Sequence, residues 1–350
     1  MKVLLAMSGG VDSSVAGALL QEQGHDVVGV TMKLWGGESD TGCCSVSDVD
    51  DARRVAQQLD IDHLVFNFSD DFDRHVVAPY VHAHAEGVTP NPCVECNRHL
   101  KFDRLLRRAE QLNFDAVATG HHARVGRTPD GRFTLERGAD TAKDQSYVVH
   151  MLDQAALART LFPVGDIDKT RVRELAAECH LRTASKPDSQ DVCFITTRGG
   201  RETFLGSRIA FRPGRVVDGD GAEVGEVAAL EMVTIGQRRG IGLPGGGPKR
   251  YVVDVDMSAG LVTLGNEDDL ARSTTRVEHV VWTDAPQAGA VRVQCSAHGA
   301  TATATIAVDD DTRTLEVTWD APQRRVAPGQ SVVFYDDADR LVLGGGIATR

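Results

Sequence analysis

Met7-Ser8-Gly9-Gly10-Val11-Asp12-Ser13-Ser14 is the stretch on which the fold turns. Before it, Val3-Leu4-Leu5-Ala6 has the length and composition of a buried strand. After it, Val15-Ala16-Gly17-Ala18-Leu19-Leu20 is an apolar helical segment that stops at Gly24. Strand, glycine-rich turn and helix together present backbone N–H groups and a helix N-terminus to an anion. The two glycines allow close approach and positive φ. Ser8, Ser13 and Ser14 add hydroxyl donors, and Asp12 can cap the helix or stand near a phosphate-bound metal. A Walker A loop would need a Lys after the turn, and a dinucleotide fingerprint would need Gly-x-Gly-x-x-Gly; neither is present. The bland reading is a Gly/Ser turn ahead of an ordinary helix.

Outward from this stretch, the first half of the chain alternates strands and helices. Residues 26–34 and 63–68 read as strands, 48–59 and 102–112 as amphipathic helices, and 116–119 as a fourth strand ending at Gly120-His121-His122. Residues 72–85 read as a helix that Pro79 kinks or splits, and 167–181 as a further helix. Such βαβ repetition implies a parallel sheet with helices on both faces and a ligand beyond the carboxyl ends of the strands. Those ends carry the loop, Met32, Asn67-Phe68-Ser69 and Gly120-His121. Met32 can rest on an adenine, or simply pack.

From about residue 212 the texture changes to short β-rich runs separated by Gly, Pro and Asp. Among them are Gly214-Arg215-Val216-Val217, Val233-Thr234-Ile235-Gly236 and Tyr251-Val252-Val253-Asp254-Val255. Residues 240–248 read as a glycine-rich loop, Asp309-Asp310-Asp311 as a turn, and six later runs as strands of a closed or sandwiched β domain. The expected architecture is therefore α/β: a Rossmann-like parallel-sheet domain over 1–205, a small central β-rich domain over 206–272 and a C-terminal β-barrel-like domain over 273–350.

The 350 residues carry ordinary apolar and charged fractions. No signal peptide or bilayer-length apolar run is evident, which predicts a cytoplasmic protein without membrane contact and with reduced cysteines. A net charge of −12 argues against broad nucleic-acid binding but leaves room for local basic patches, such as residues 98–108, Arg171-Val172-Arg173, Arg238-Arg239, Lys249-Arg250 and Arg324-Arg325.

The seven cysteines supply the second informative pattern. Thr89-Pro90-Asn91-Pro92-Cys93-Val94-Glu95-Cys96-Asn97 delivers a Cys-x-x-Cys from a proline-stiffened loop to the start of a helix, where a thiolate is favoured. A third cysteine, Cys193, lies in Lys186-Pro187-Asp188-Ser189-Gln190-Asp191-Val192-Cys193-Phe194. Structural zinc wants paired ligands, and the adjacent Cys43-Cys44 suits that poorly and reads as packing. A redox pair, inert buried thiols and sulfur transfer through a transient disulfide remain as readings.

Ser-Gly-Gly-x-Asp-Ser resembles the pyrophosphate loop of ATP pyrophosphatases. Further segments then occur in order: Thr89-Pro90-Asn91-Pro92 with Cys96-Asn97, Lys101-Phe102, Thr119-Gly120-His121 and Lys143-Asp144-Gln145-Ser146-Tyr147. After them come residues 188–195, Thr234-Ile235-Gly236-Gln237-Arg238 and Pro328-Gly329-Gln330. Over nearly the whole chain this set resembles the tRNA-specific 2-thiouridylases, the MnmA family.

The resemblance implies that ATP, with Mg2+, adenylates the C2 oxygen of a flipped wobble uridine in tRNA. A persulfide on Cys193 then supplies sulfur, and Cys96 resolves it, leaving a transient Cys96–Cys193 disulfide. It places Ala6, Met7, Ser8, Gly9, Gly10, Val11, Asp12, Ser13, Met32 and Gly120 on ATP. It places Asn91, Pro92 and Cys93 on the target base, and His121, Lys143, Asp144, Gln145, Gln330 and Arg292 on tRNA; beside Arg292, Val293 replaces an aromatic common in the family. It also implies a sulfur donor, a cysteine desulfurase or relay protein, and a monomeric enzyme. Cys93 departs from the family, where an acid/base Asp is common. Cys93, Cys96 and Cys193 could instead hold an iron–sulfur cluster. The runner-up of another class is an amidating ligase of the argininosuccinate- or GMP-synthase kind, which shares the loop but has no use for the cysteines. A non-catalytic RNA-binding module is the third reading, and the loop argues against it.

Overall fold

The computed structural model describes residues 1–34, 46–188, 192–195, 199–242, 249–308 and 313–350. Cys43, Cys44, residues 243–248 of the glycine-rich loop and Asp309-Asp310-Asp311 lie outside the described residues. Strands β1 (Lys2–Ala6), β2 (Asp26–Lys33), β3 (His63–Asn67) and β4 (Ala116–Ala118) form the first sheet. A hairpin of β5 (Ala123–Arg127) and β6 (Phe133–Arg137) comes next, and β7 (Thr160–Leu161) completes that sheet in the order β3-β2-β1-β4-β7. All its pairings are parallel. Side chains alternate along β1: Leu4 packs with Val30, Met32, Phe72 and Leu100 on one face. Val3 and Leu5 pack with Val15, Val55 and Val172 on the other. Both faces are thus covered by helices, as a parallel sheet requires. Helices α1 (Val11–Glu22) and α2 (Val46–Gln58) belong to the second face.

Pro79 neither splits nor ends its helix. It falls in the first turn of Ala78–Ala85, directly after the π-helical stretch Asp73–Val77, whose wider turn absorbs the missing N–H.

The second unit is a four-stranded sheet, β10-β11-β8-β9, built from β8 (Gly214–Val217), β9 (Glu223–Val227), β10 (Tyr251–Asp256) and β11 (Leu261–Gly265). Val233-Thr234-Ile235-Gly236, expected as a strand, is irregular. It follows a 3-10 turn at Leu230–Met232 and spends its bonds at the edge of β10, where Gly236 N donates to Val252 O over 2.7 Å.

The third unit has six strands: β12 (Ala271–Trp282), β13 (Gly289–Gln294), β14 (Ala302–Val308), β15 (Leu315–Arg324), β16 (Ser331–Tyr335) and β17 (Leu341–Ala348). They run β12-β15-β14-β13-β16-β17 and close into a barrel through β12–β17. The β5–β6 hairpin extends this barrel sheet, because β6 pairs with the first residues of β17. Arg137 on β6 tightens that seam: it donates to Asp144 (2.6 Å), Asp339 (2.8 Å) and Gln294 (3.0 Å) and lies over the Tyr335 ring.

Buried imidazoles mark two of the seams. His84 meets the central unit at Glu231 O, and burial pushes its pKa down to about 4. His150 is wholly buried, accepts no charge for the same reason, and is likewise held at about 4. In the unfolded chain both titrate near 6.5, so the unfolded state binds more protons between about pH 6.5 and 4. Stability is therefore complete above about pH 6.5 and falls as pH drops through that window, by on the order of 1–2 kcal/mol per histidine at pH 5. Urea unfolding midpoints at pH 7.5 and pH 5 will show a loss that shrinks by about a third or less in His150→Gln, because burial depresses His84 and His121 as well.

Candidate active site

The loop after β1 is shaped by contacts that only glycine permits. Gly9 has φ +70°, and a Cβ there would stand 2.5 Å from Asp48 O. Gly10 opens α1 without a side-chain cap. Instead its carbonyl accepts from the Ser13 and Ser14 hydroxyls (3.1 and 2.8 Å), and Ser8 N donates to Ser13 Oγ (3.3 Å). From the adjacent strand, Gly120 follows β4 and abuts the start of α1; a Cβ there would lie 2.6 Å from Ser13 N and 2.8 Å from Asp12 C.

These ends of β1, β2 and β4 border a cavity of about 630 Å³, within the range of a nucleotide-sized site. From the loop side it is lined by Ala6, Met7, Ser8, Gly10, Val11, Asp12, Ser13, Met32 and Gly120. The opposite side brings Pro92, Cys93, Cys96 and Cys193, and the rim brings His121, Lys143, Asp144 and Gln145. Gly9, Asn91, Gln330 and Arg292 are not part of this lining.

Asn91 acts from behind. It caps the short helix Pro92–Cys96, with Oδ1 accepting Cys93 N (3.1 Å), and Pro92 takes the first position, where its missing N–H costs nothing. The helix continues without a break into the π-helical stretch Asn97–Arg104. Cys96 is buried, Cys93 exposed and Cys193 half-buried. Among the described residues, no three His, Cys, Asp or Glu side chains are grouped to hold a metal ion.

The rim residues are largely engaged within the chain. Asp144 accepts from Arg137, Gly138 N, Ser146 N and Ser146 Oγ, so its carboxylate braces the 138–146 turn. Gln145 and His122 exchange two bonds, His122 N to Gln145 Oε1 and Gln145 N to His122 O. His121 is buried against Phe102 and Phe162. Burial, aided by Lys101 and His122, pushes its pKa well below the usual range and keeps it neutral. Lys101 Nζ has only donors, so His121 Nε2 accepts from it (3.5 Å), and Nδ1–H donates to Thr119 Oγ1 (2.6 Å). Gln330 Nε2 donates to Thr89 O, and Arg292 Nε to Asp337 O.

Sequence reasoning missed the ionic network in the cavity wall. Asp12 Oδ1 accepts from Lys169 Nζ (2.5 Å) and His122 Nε2 (3.2 Å). Lys169 also reaches Asp188 Oδ1 (3.0 Å), which takes Arg173 (2.7 Å), while Asp188 Oδ2 takes Lys143 (2.9 Å). Lys186 is clamped by Asp48 and Asp51, each at 2.8 Å. Burial pushes the Asp12 carboxyl up, but His122 and Lys169 outweigh it and hold it below its ordinary value. Asp188 is held at about 2 by Lys143 and Lys169 against its own partial burial. One signal for Lys169 was available: it opens the helix Lys169–Glu178, where a cation opposes the helix dipole.

A family model described as "tRNA methyl transferase HUP domain" matches residues 1–197. Models for a "tRNA methyl transferase PRC-barrel domain" and an "Aminomethyltransferase beta-barrel domain" match residues 202–266 and 272–348. These labels name methyl transfer, whereas full-length relatives are named for thiolation. The chain is 47% identical over 356 residues to tRNA-specific 2-thiouridylase MnmA of Chloroflexus aggregans, covering 99% of this chain and 98% of that one. It is 45% identical over 364 residues to the enzyme of the same name from Mycolicibacterium smegmatis, covering 100% of both. Among solved structures, the U34-tRNA thiolase NcsA from Methanococcus maripaludis with its [4Fe-4S] cluster aligns with TM-score 0.37 and 18% identity. That alignment covers 59% of this chain and 63% of that one, an overlap too slight to bear on this chain's cofactor.

Because a Cβ at Gly120 would overlap the first turn of α1, Gly120→Ala displaces the loop. It is expected to lower stability by about 1–3 kcal/mol in urea titration and to weaken ATP binding by calorimetry. A fully stable variant with unchanged ATP affinity would show that the close approach is not what shapes the loop.

Proposed function

We infer the reaction of this chain from its family, for it belongs to the tRNA-specific 2-thiouridylases: it thiolates tRNA uridine at C2 at the expense of ATP. The observation that carries the reading is a single cavity that takes the glycine-rich loop on one wall and Cys93, Cys96 and Cys193 on the other. An amidating ligase would need the first wall only.

ATP lies along Ala6 to Ser13, with Met32 and Gly120 beside it, and magnesium would arrive on its phosphates near Asp12, the carboxylate of the loop. The wobble uridine enters over Asn91, Pro92 and Cys93. Its C2 oxygen attacks the α-phosphorus, the bond to the bridging oxygen breaks, and pyrophosphate leaves. The terminal sulfur of a Cys193 persulfide then attacks C2 and AMP departs. Finally the Cys96 thiolate attacks Cys193 Sγ. The S–S bond to the transferred sulfur breaks, its electron pair stays with the thiocarbonyl, and a Cys96–Cys193 disulfide remains for a reductant. The capped start of helix Pro92–Cys96 positions both of its thiols. Cys93, where Asp is common in the family, faces the base from an exposed position.

tRNA is held by Lys143, whose side chain is substantially exposed, with Arg292; His121, buried with both ring nitrogens bonded, supports that rim from behind. Asp144, Gln145 and Gln330 serve it through the turns they brace. We place the three units at 1–205, 206–272 and 273–350, the last boundary falling two residues inside β12. The enzyme works as a monomer in the cytoplasm and is loaded with sulfur by a cysteine desulfurase or relay protein. No helix among the described residues is long and apolar enough to cross a membrane.

Cys96→Ser and Cys193→Ser are each expected to abolish 2-thiouridine in tRNA, read by nucleoside mass spectrometry, while tRNA-dependent pyrophosphate release persists for at least one turnover. Full thiolation by either variant sinks the sulfur route. Asp12→Ala should remove pyrophosphate release itself.

A further inference from the structure

Among the described residues, four cations line the cavity: Lys101, Lys143, Lys169 and Lys186. The loop of residues 7–14 contains none. A leaving pyrophosphate carries several negative charges, and a site that expels it gains most from a cation aimed at the breaking bond. Three of the four lysines are committed elsewhere. Lys186 is clamped between Asp48 and Asp51. Lys101 stands against His121, and Lys143 reaches out to Asp188 with a half-exposed side chain.

Lys169 is held by two carboxylates as Lys186 is, but one of them belongs to the loop. Its side chain is 11% exposed, and its Nζ is the one bonded to the loop itself, at Asp12 Oδ1. It can leave its second partner without orphaning a charge, since Asp188 keeps Lys143 and Arg173. Asp12 in turn keeps His122. The lysine also opens a helix, a place where its charge is unfavourable unless anions surround it.

We propose that Lys169 is a catalytic residue that receives the departing pyrophosphate. As the bond between the α-phosphorus and the bridging oxygen breaks, the electron pair moves onto that oxygen. Lys169 Nζ shifts from Asp12 to donate to it and its neighbours. No proton is transferred: the ammonium stays charged and leaves with no product. Between turnovers Asp12 and Asp188 hold the ammonium at the loop, poised and partly desolvated. The proposal rests on the ATP-splitting reading of the loop.

The test is calorimetric titration of full-length wild type, Lys169→Gln and Lys169→Arg with inorganic pyrophosphate and separately with AMP. Lys169→Gln is expected to bind pyrophosphate at least tenfold more weakly, with AMP affinity within threefold of wild type. Lys169→Arg should keep most of the pyrophosphate affinity. Unchanged pyrophosphate binding in Lys169→Gln overturns the proposal, as does an equal loss for both ligands, which would mean general damage to the site. Wild type that binds neither ligand overturns the ATP reading and this assignment with it. If Lys169→Gln fails to fold, chemical labelling of wild-type lysines decides: pyrophosphate should protect Lys169 and AMP should not, and equal protection by both overturns the assignment.

Discussion

Thr89 is bonded to all three units at once, and the placement of the cysteines depends on it. Its N–H donates to Pro328 O (2.9 Å), its carbonyl accepts from Gln330 Nε2 (2.5 Å), and its hydroxyl meets Thr234 Oγ1 (3.2 Å). Pro328 and Gln330 belong to the turn before β16, and Thr234 to the irregular run of the central unit. Gly329, between them, has φ +91°, and a Cβ there would strike Val88 at 2.5 Å. Each hydrogen bond contributes only about 0.5–1.5 kcal/mol. Their effect is geometric, because Pro90 and Pro92 stiffen the three residues between this anchor and Cys93. The barrel and the central unit therefore fix where the cysteine helix begins, although neither contributes a cysteine to it.

The opposite wall is organised by charge rather than by shape. Pairing lysines with carboxylates inside a half-buried cavity has a desolvation cost that the mutual attraction only partly offsets. As a source of stability the network of Asp12, Lys169, Asp188, Lys143 and Arg173 is thus a modest investment. As a preorganised site it makes sense: the cations wait in position, already stripped of much of their water, in a chain whose net charge of −12 would otherwise repel a polyphosphate.

The strand-loop-helix around Gly9 and Gly10, the parallel sheet and the barrel were all legible, because each rests on local periodicity and on turn residues. So was the Cys-x-x-Cys start of its helix, announced by two prolines. What could not be read was which residues converge from far along the chain. Lys169 meets Asp12 across 157 positions; its place at a helix start implies a nearby anion but does not say which one. The β5–β6 hairpin was passed over although Pro129-Asp130-Gly131 marks its turn; its strands are short, and their partner is β17, some two hundred residues on. Val233 to Gly236 misled in the other sense. Its β-rich composition serves packing, since Val233 is buried in the central core, while its backbone bends to reach Thr89.

The three thiols differ in exposure, and the difference suits the roles proposed for them. A persulfide carrier has to be loaded by a donor from outside and then present its sulfur inside, so its thiol must be reachable from both directions. Cys193, the carrier in the proposed route, is half-buried in the cavity wall and meets that need. The thiol that resolves the persulfide should meet only its partner, because a reachable thiolate is open to stray oxidation. Cys96 is buried, one helical turn behind the exposed Cys93, in the apolar cluster that also holds Phe72 and Phe194. The same aromatic packing that shields Cys96 therefore brackets Cys193 in sequence, since Phe194 is its neighbour. Phe194 stands 5.6 Å from Phe72 and 5.5 Å from Tyr80, ring to ring. A hydrophobic cluster that looks like ordinary core is thereby also what holds the two sulfur atoms' chain segments against one cavity.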